Sequence, residues 1–169
     1  KSLSDMKEMV DIFKQTPDVL DMPNSETPRI KEGNIEIKNM SFAYGNGTRV
    51  FDNFSLKINS GEKVGLVGHS GAGKSTFTKL LMRFVEISGG EILIDGQNIR
   101  NIAQDDLRNN ISYIPQEPVL FHRSIRDNIS YNKPDAKEEE IIKSAKDAHA
   151  HEFINNLKNG YDTLVGERG

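Results

Sequence analysis

Residues 68–75 read Gly68-His69-Ser70-Gly71-Ala72-Gly73-Lys74-Ser75, the spacing G-x-x-x-x-G-K-S/T of phosphate-binding loops. Each residue type in this run has a chemical reason. Glycines let the backbone curl until its N–H groups point inward at anionic oxygens, and a following helix adds the positive end of its dipole. The Lys74 ammonium can reach the β- and γ-phosphates of a nucleotide as a compact point charge. The Ser75 hydroxyl is a hard oxygen donor of the kind Mg²⁺ takes. Thr76 follows it, near the place of an α-phosphate. Chance produces this pattern in roughly half a percent of chains this long, so nucleotide binding is the expectation. On the loop alone, a kinase, a GTPase, a helicase and a transporter engine all remain open.

Two further residues bear on the same chemistry. Tyr44 closes a strand-like segment ahead of the loop, where its ring can stack on a purine base for about 1–3 kcal/mol, although a strand-end aromatic read alone is more often a core residue. Gln116 follows the extended run Tyr113-Ile114-Pro115. Its amide oxygen can ligate Mg²⁺ or hold an attacking water, or it is simply a loop residue. With no cysteine, neither a disulfide framework nor a thiolate metal site is available. His149 and His151 are two apart and face different directions on a helix, while His69 and His122 stand alone in loops. No metal site is expected beyond Mg²⁺ carried by a nucleotide.

The elements that must position these groups follow from periodicity. From Asn34 to Ile58 the apolar residues alternate: Ile35/Ile37, then Met40/Phe42/Tyr44 after a phase slip near Lys38-Asn39, then Phe54, Leu56 and Ile58 beyond a Gly45-Asn46-Gly47 turn. Lys63-Val64-Gly65-Leu66-Val67 is nearly continuous, the pattern of a strand buried on both faces. The glycine loop and a helix through Leu80, Leu81 and Phe84 come next, then a short strand at Glu91–Ile94. Residues 104–110 and 136–149 read as helices, the second capped by Asp135, and a further short helix spans about 152–157. Met6, Met9, Val10 and Phe13 stripe a short N-terminal helix, and the Pro-rich residues 16–33 read as a linker. Strands alternating with helices predict an α/β layered domain with an antiparallel portion at the front.

Composition agrees with a folded domain. The 169 residues carry a net charge of −3, and Ile, Leu, Val and Phe make up about a quarter of them, enough to build a core. The acidic balance argues against a nucleic-acid partner, and no run approaches the roughly 18 apolar residues of a membrane span. The chain opens at Lys1 with no leader-like segment and closes in a loop-like run, so it is expected to be a piece of something longer.

From about Gly33 to Gly169 the sequence resembles the nucleotide-binding domain of ATP-binding-cassette (ABC) transporters of the exporter type. Beside the glycine loop, the resemblance rests on Ile94-Asp95-Gly96, Leu107-Arg108, and the run Tyr113-Ile114-Pro115-Gln116-Glu117-Pro118-Val119-Leu120-Phe121 with Ser124-Ile125-Arg126-Asp127-Asn128-Ile129 after it. Val165-Gly166-Glu167-Arg168-Gly169 is similar to the exporter X-loop. It implies a P-loop (RecA-like) core with an antiparallel β subdomain and the start of a helical subdomain, incomplete in these residues. Residues 1–33 would be an amphipathic helix and linker from a preceding membrane domain, and 34–169 the N-terminal part of the cassette.

The resemblance also implies roles. Tyr44 would be the A-loop aromatic on adenine with Val50 beside it, Gly68–Thr76 the Walker A loop, and Gln116 the Q-loop residue that touches Mg²⁺ and relays nucleotide state. Tyr131 and Glu167 would meet the membrane domains. The implied ligands are ATP and Mg²⁺, and the implied partners are a second nucleotide-binding domain and transmembrane domains, with this part on the cytoplasmic side. The family's signature run, Walker B Asp, catalytic Glu and switch His do not occur in these residues. They are therefore expected to bind nucleotide without hydrolysing it, and the strand at 63–67, without its usual neighbour, to have an edge that is either left unpaired or covered by another chain or a rearrangement. Two alternatives stay open: a soluble cassette ATPase without membrane domains, and a nucleotide sensor without turnover.

Overall fold

Alternation decides the first sheet. The computed structural model describes residues 2–166, which divide between two units at Ser112 and Tyr113. In the first unit, β1 (Ile35–Ala43) and β2 (Arg49–Ile58) form an antiparallel hairpin. Its turn is closed by the Tyr44 N–H donating to Thr48 O (2.9 Å) and the Gly47 N–H to Tyr44 O (2.8 Å). β3 (Gly89–Ile94) lies on the other side of β1, and β4 (Gln97–Asn98) pairs with β3, giving the order β2-β1-β3-β4. The phase slip at Lys38-Asn39 is a real irregularity: both ladders of β1 shift register there, and Asn39 has a φ of 49°. Gly90 sits against it. A Cβ on Gly90, whose φ is 79°, would run into the carbonyl oxygens of Lys38 and Asn39, so the bulge and the glycine require each other.

The slip restores burial. Ile37, Met40 and Phe42 all face inward, although Ile37 and Met40 are three apart. They pack with Ile92 and Ile94 of β3 and with Phe77 and Leu80 of α2 (Lys74–Leu81). Burying such side chains contributes roughly 1.5–3 kcal/mol each, and this cluster is what seats α2 on the sheet. The helix ends at Met82, and Arg83 turns away with a φ of 49°. The helix-end carbonyls there are met by Arg108 of α3 (Gln104–Asn109), whose guanidinium donates to Met82 O (3.1 Å) and Arg83 O (3.0 Å).

The Pro-rich stretch is not a free tether over 19–34. The Arg83 guanidinium, 2% exposed, donates to Leu20 O, Ile99 O and Ile102 O and pairs with Glu86. Gln97 accepts from the Arg29 N–H and donates to Glu26 and Thr27 O. Asp95 accepts the N–H groups of Lys31, Glu32, Gly33 and Asn34 at 2.7–3.0 Å. Those backbone donors, led by Lys31 and Gly33, hold its carboxyl well below the usual carboxylate range. α1 (Ser2–Phe13) precedes this strap, and its Met6, Met9, Val10 and Phe13 are exposed.

The expectation of a strand buried on both faces at 63–67 fails. Residues 62–69 form no ladder and are exposed throughout, Val67 at 99%. Such a strand needs a partner along its edge. Among the described residues all four strands are engaged in the antiparallel sheet, and none pairs with it. Residues 111–114, expected to be extended, likewise join no strand ladder.

The second unit is helical. α4 (Ile125–Ile129) is capped by Ser124, whose Oγ accepts the Asp127 N–H at 3.1 Å. α5 (Glu138–Asp147) and α6 (His151–Asn155) follow. Asp135 does not cap α5. The helix starts after Lys137, whose N–H donates back to the Glu140 carboxylate at 2.9 Å. Ile141, Ala145, Ile154 and Tyr161 make a small core of their own. Both ring nitrogens of His151 are engaged, Nδ1 with the Tyr161 hydroxyl and Nε2 with the Asn155 amide. No helix among the described residues is long and apolar enough to cross a membrane.

Candidate functional site

The glycine loop turns the chain from the extended segment 62–67 into α2, and its shape is built from inside. Gly73 precedes the helix at φ 87°, a left-handed conformation that L side chains rarely adopt. Space forbids a larger residue as well: a Cβ there would stand 2.7 Å from Val50 Cγ1 and 3.2 Å from Phe51 Cζ. Val50 therefore forms the floor beneath the loop. The Ala72 N–H donates to His69 O (3.1 Å), doubling the loop back on itself.

Lys74 then closes it. Its ammonium donates to Gly68 O at 2.6 Å and to His69 O at 2.8 Å. A lysine has three hydrogens, so one remains for an anion held above the loop. The first intrahelical bond at this end is from the Phe77 N–H to Gly73 O (2.8 Å). The N–H groups of Lys74, Ser75 and Thr76 are the donors that a helix leaves without intrahelical acceptors. Ser75 is exposed at this turn. The head of α2 thus carries backbone N–H groups without intrahelical acceptors, a cation and a hydroxyl, the donor types that an anion takes.

Tyr44 joins the same place. Its hydroxyl lies 2.9 Å from Thr76 Oγ1, and its ring meets the buried Phe42 ring edge to face at 4.9 Å. At 36% exposure it is not a core residue. Phe42, the support of that ring, belongs to no motif. Its signal was available, since positions 42 and 44 share one face of a strand. The Tyr44–Thr76 bond, spanning 32 residues, had no signal in spacing.

The first unit thus brings together Tyr44, Val50 and Gly68, His69, Ser70, Gly71, Ala72, Gly73, Lys74, Ser75 and Thr76. Gln116 belongs to the second unit, in an exposed bend after the extended run. Tyr131 is there too, half exposed and stacked on Phe121 at 4.2 Å and 18°. The Asn128 side chain fixes Phe121, accepting its N–H (2.9 Å) and donating to its carbonyl (3.0 Å). Phe121 is a second residue missed. Glu167 lies outside the described residues. No group of three or more His, Cys, Asp or Glu among the described residues is placed to hold a metal. The donor set fits Mg²⁺ only as an ion shared with phosphate oxygens, with the Ser75 hydroxyl as a protein ligand.

Comparison with known proteins agrees with this chemistry. The family described as ABC transporter matches residues 51–168. An uncharacterized ABC transporter ATP-binding protein of Haemophilus influenzae is 46% identical over 156 residues, covering 89% of this chain and 25% of that protein. An ATP-dependent lipid A-core flippase of Syntrophus aciditrophicus is 45% identical over 159 residues, covering 94% of this chain and 26% of that protein. The chain thus spans about a quarter of the length of these curated relatives. A solved bacterial Atm1-family ABC exporter with ATP bound superposes with a TM-score of 0.90 at 38% identity, covering 98% of this chain and 29% of that one. The fold is the mixed α/β arrangement with an antiparallel sheet of that class.

Proposed function

The chain belongs to the ABC transporter family, and from that premise we propose that it binds MgATP as the N-terminal part of the ATPase domain of an exporter. The intact exporter couples ATP hydrolysis to movement of a substrate across a membrane, with this part on the cytoplasmic side and residues 1–33 leading from a membrane domain. What supports the reading most is the conjunction at the head of α2: Lys74 folded over the loop carbonyls, and Tyr44 bonded to Thr76 beside it.

The residues divide the nucleotide between them. The Tyr44 ring stacks on the adenine, with Val50 shaping the surface next to it. The N–H groups of 68–76 cradle the phosphates, and Lys74 swings its ammonium towards the β- and γ-oxygens. Ser75 Oγ would be a protein ligand for Mg²⁺, which when bound would neutralise charge on those phosphates. Gln116, Tyr131 and Glu167 carry the state of the site to transmembrane domains, and a second nucleotide-binding domain closes over the ATP. Phosphoryl transfer of this kind is accelerated mainly by positioning and charge stabilisation, and Lys74 is the element these residues supply. We assign no general base among them, so alone they bind ATP without turnover.

Calorimetric titration with MgATP tests the reading. Lys74→Ala removes a charged hydrogen-bond donor and should weaken binding by about 1.5–3 kcal/mol. An unchanged affinity would refute the assignment.

A further inference from the structure

Two threonines on α2 use their hydroxyls differently. The Thr78 hydroxyl donates to Ser75 O at 2.9 Å, the ordinary local bond of a helical threonine. The Thr76 hydroxyl, on a residue only 7% exposed, is instead 2.9 Å from the Tyr44 hydroxyl. Tyr44 is held from three directions: by the turn bonds at its N–H and carbonyl, by the Phe42 ring, and by this bond. An aromatic needed only as a stacking surface has no use for the third.

We propose that the Tyr44 hydroxyl is a positioning group for the phosphate half of the nucleotide, orienting Thr76 so that its own O–H is aimed at a phosphate oxygen. The inference rests on the ATP-site reading above. The phenol is the more acidic of the two hydroxyls and donates; Thr76 Oγ1 accepts and keeps its single hydrogen for the ligand. Two hydrogen bonds in series polarise one another, so the second is stronger for the presence of the first. One side chain thereby serves both ends of ATP: its ring reads the base, and its hydroxyl acts through Thr76 on the phosphates. A consequence separates this from simple stacking. Removing the hydroxyl while keeping the ring must weaken a ligand that has no base at all.

The test uses the intact chain and two probes, MgATP and magnesium tripolyphosphate, titrated calorimetrically. Tyr44→Phe should weaken both by a similar factor, about two- to tenfold, the size of one neutral hydrogen bond. Thr76→Ala should weaken both as well, and the double variant should be no weaker than Thr76→Ala alone. Thr76→Ser keeps the hydroxyl and should retain the sensitivity to Tyr44→Phe, which covers the case in which the alanine variant does not fold. The proposal is overturned if Tyr44→Phe binds tripolyphosphate as well as or better than the unaltered chain, or if the two losses multiply. Lys74→Ala run alongside keeps the failures apart: if it leaves MgATP binding unchanged, the site reading itself falls.

Discussion

Gly73→Ala isolates the geometry on which the anion cradle depends. The substitution adds one methyl group, and two costs follow from the structure. The backbone at 73 sits at φ 87°, and holding an L residue in the left-handed region costs about 1–2 kcal/mol. The new Cβ would also lie 2.7 Å from Val50 Cγ1, which overpacking data place at about 1–3 kcal/mol. The expected loss is therefore roughly 2–5 kcal/mol, a large part of the 5–15 kcal/mol typical of a domain. Equilibrium urea unfolding followed by far-UV circular dichroism measures it, the chain having no tryptophan. Val50→Ala separates the terms, because it removes the 2.7 Å contact, keeps the 3.2 Å approach to Phe51 Cζ and leaves φ untouched. The Gly73→Ala penalty should then fall by the steric share in a double-mutant cycle. A Gly73→Ala chain within about 0.5 kcal/mol of the original, the scatter of a neutral surface change, would refute the reasoning. Additive losses in the cycle would refute the contact with Val50.

Two other expectations are simpler to check. Asp95 has its carboxyl depressed by four backbone N–H groups, so its contribution to stability is complete above the unfolded carboxylate pKa of about 4 and is lost as pH falls below it. Asp95→Asn should flatten this part of the profile of urea midpoint against pH between about 5 and 2, and identical slopes for the two chains would contradict the strap. These 169 residues alone should release no phosphate from MgATP; sustained release abolished by Lys74→Ala would show that a base had been overlooked.

How much of this was legible in the sequence varies by the kind of signal. The hairpin and β3 were legible because period-two burial is written residue by residue, and even the bulge at Lys38-Asn39 showed as a break in phase. The phosphate loop was legible because its glycines answer a backbone requirement that few other residues meet. The strand at 63–67 was not: an apolar run records what a segment can bury, while the partner strand that would bury it is a non-local matter. The strap at 19–34 escaped for a related reason. Proline and polar residues mark irregular backbone, yet backbone N–H donation to Asp95 leaves no pattern in side-chain types. α5 starts at Glu138 rather than just after Asp135, with the Glu140 carboxylate accepting the Lys137 N–H, one of two caps that the sequence could supply. Tyr44 was legible as an aromatic at a strand end, and its bond to Thr76 was not.

The central claim is that one site at the head of α2 takes the nucleotide. Amide hydrogen exchange of the chain with and without MgATP tests it most directly, because it reports the place of binding and not only its strength. Added protection is expected in residues 68–76, where the loop and first-turn N–H groups become bonded, and in the turn 44–48. Protection concentrated elsewhere, with 68–76 exchanging as fast as before, would contradict it.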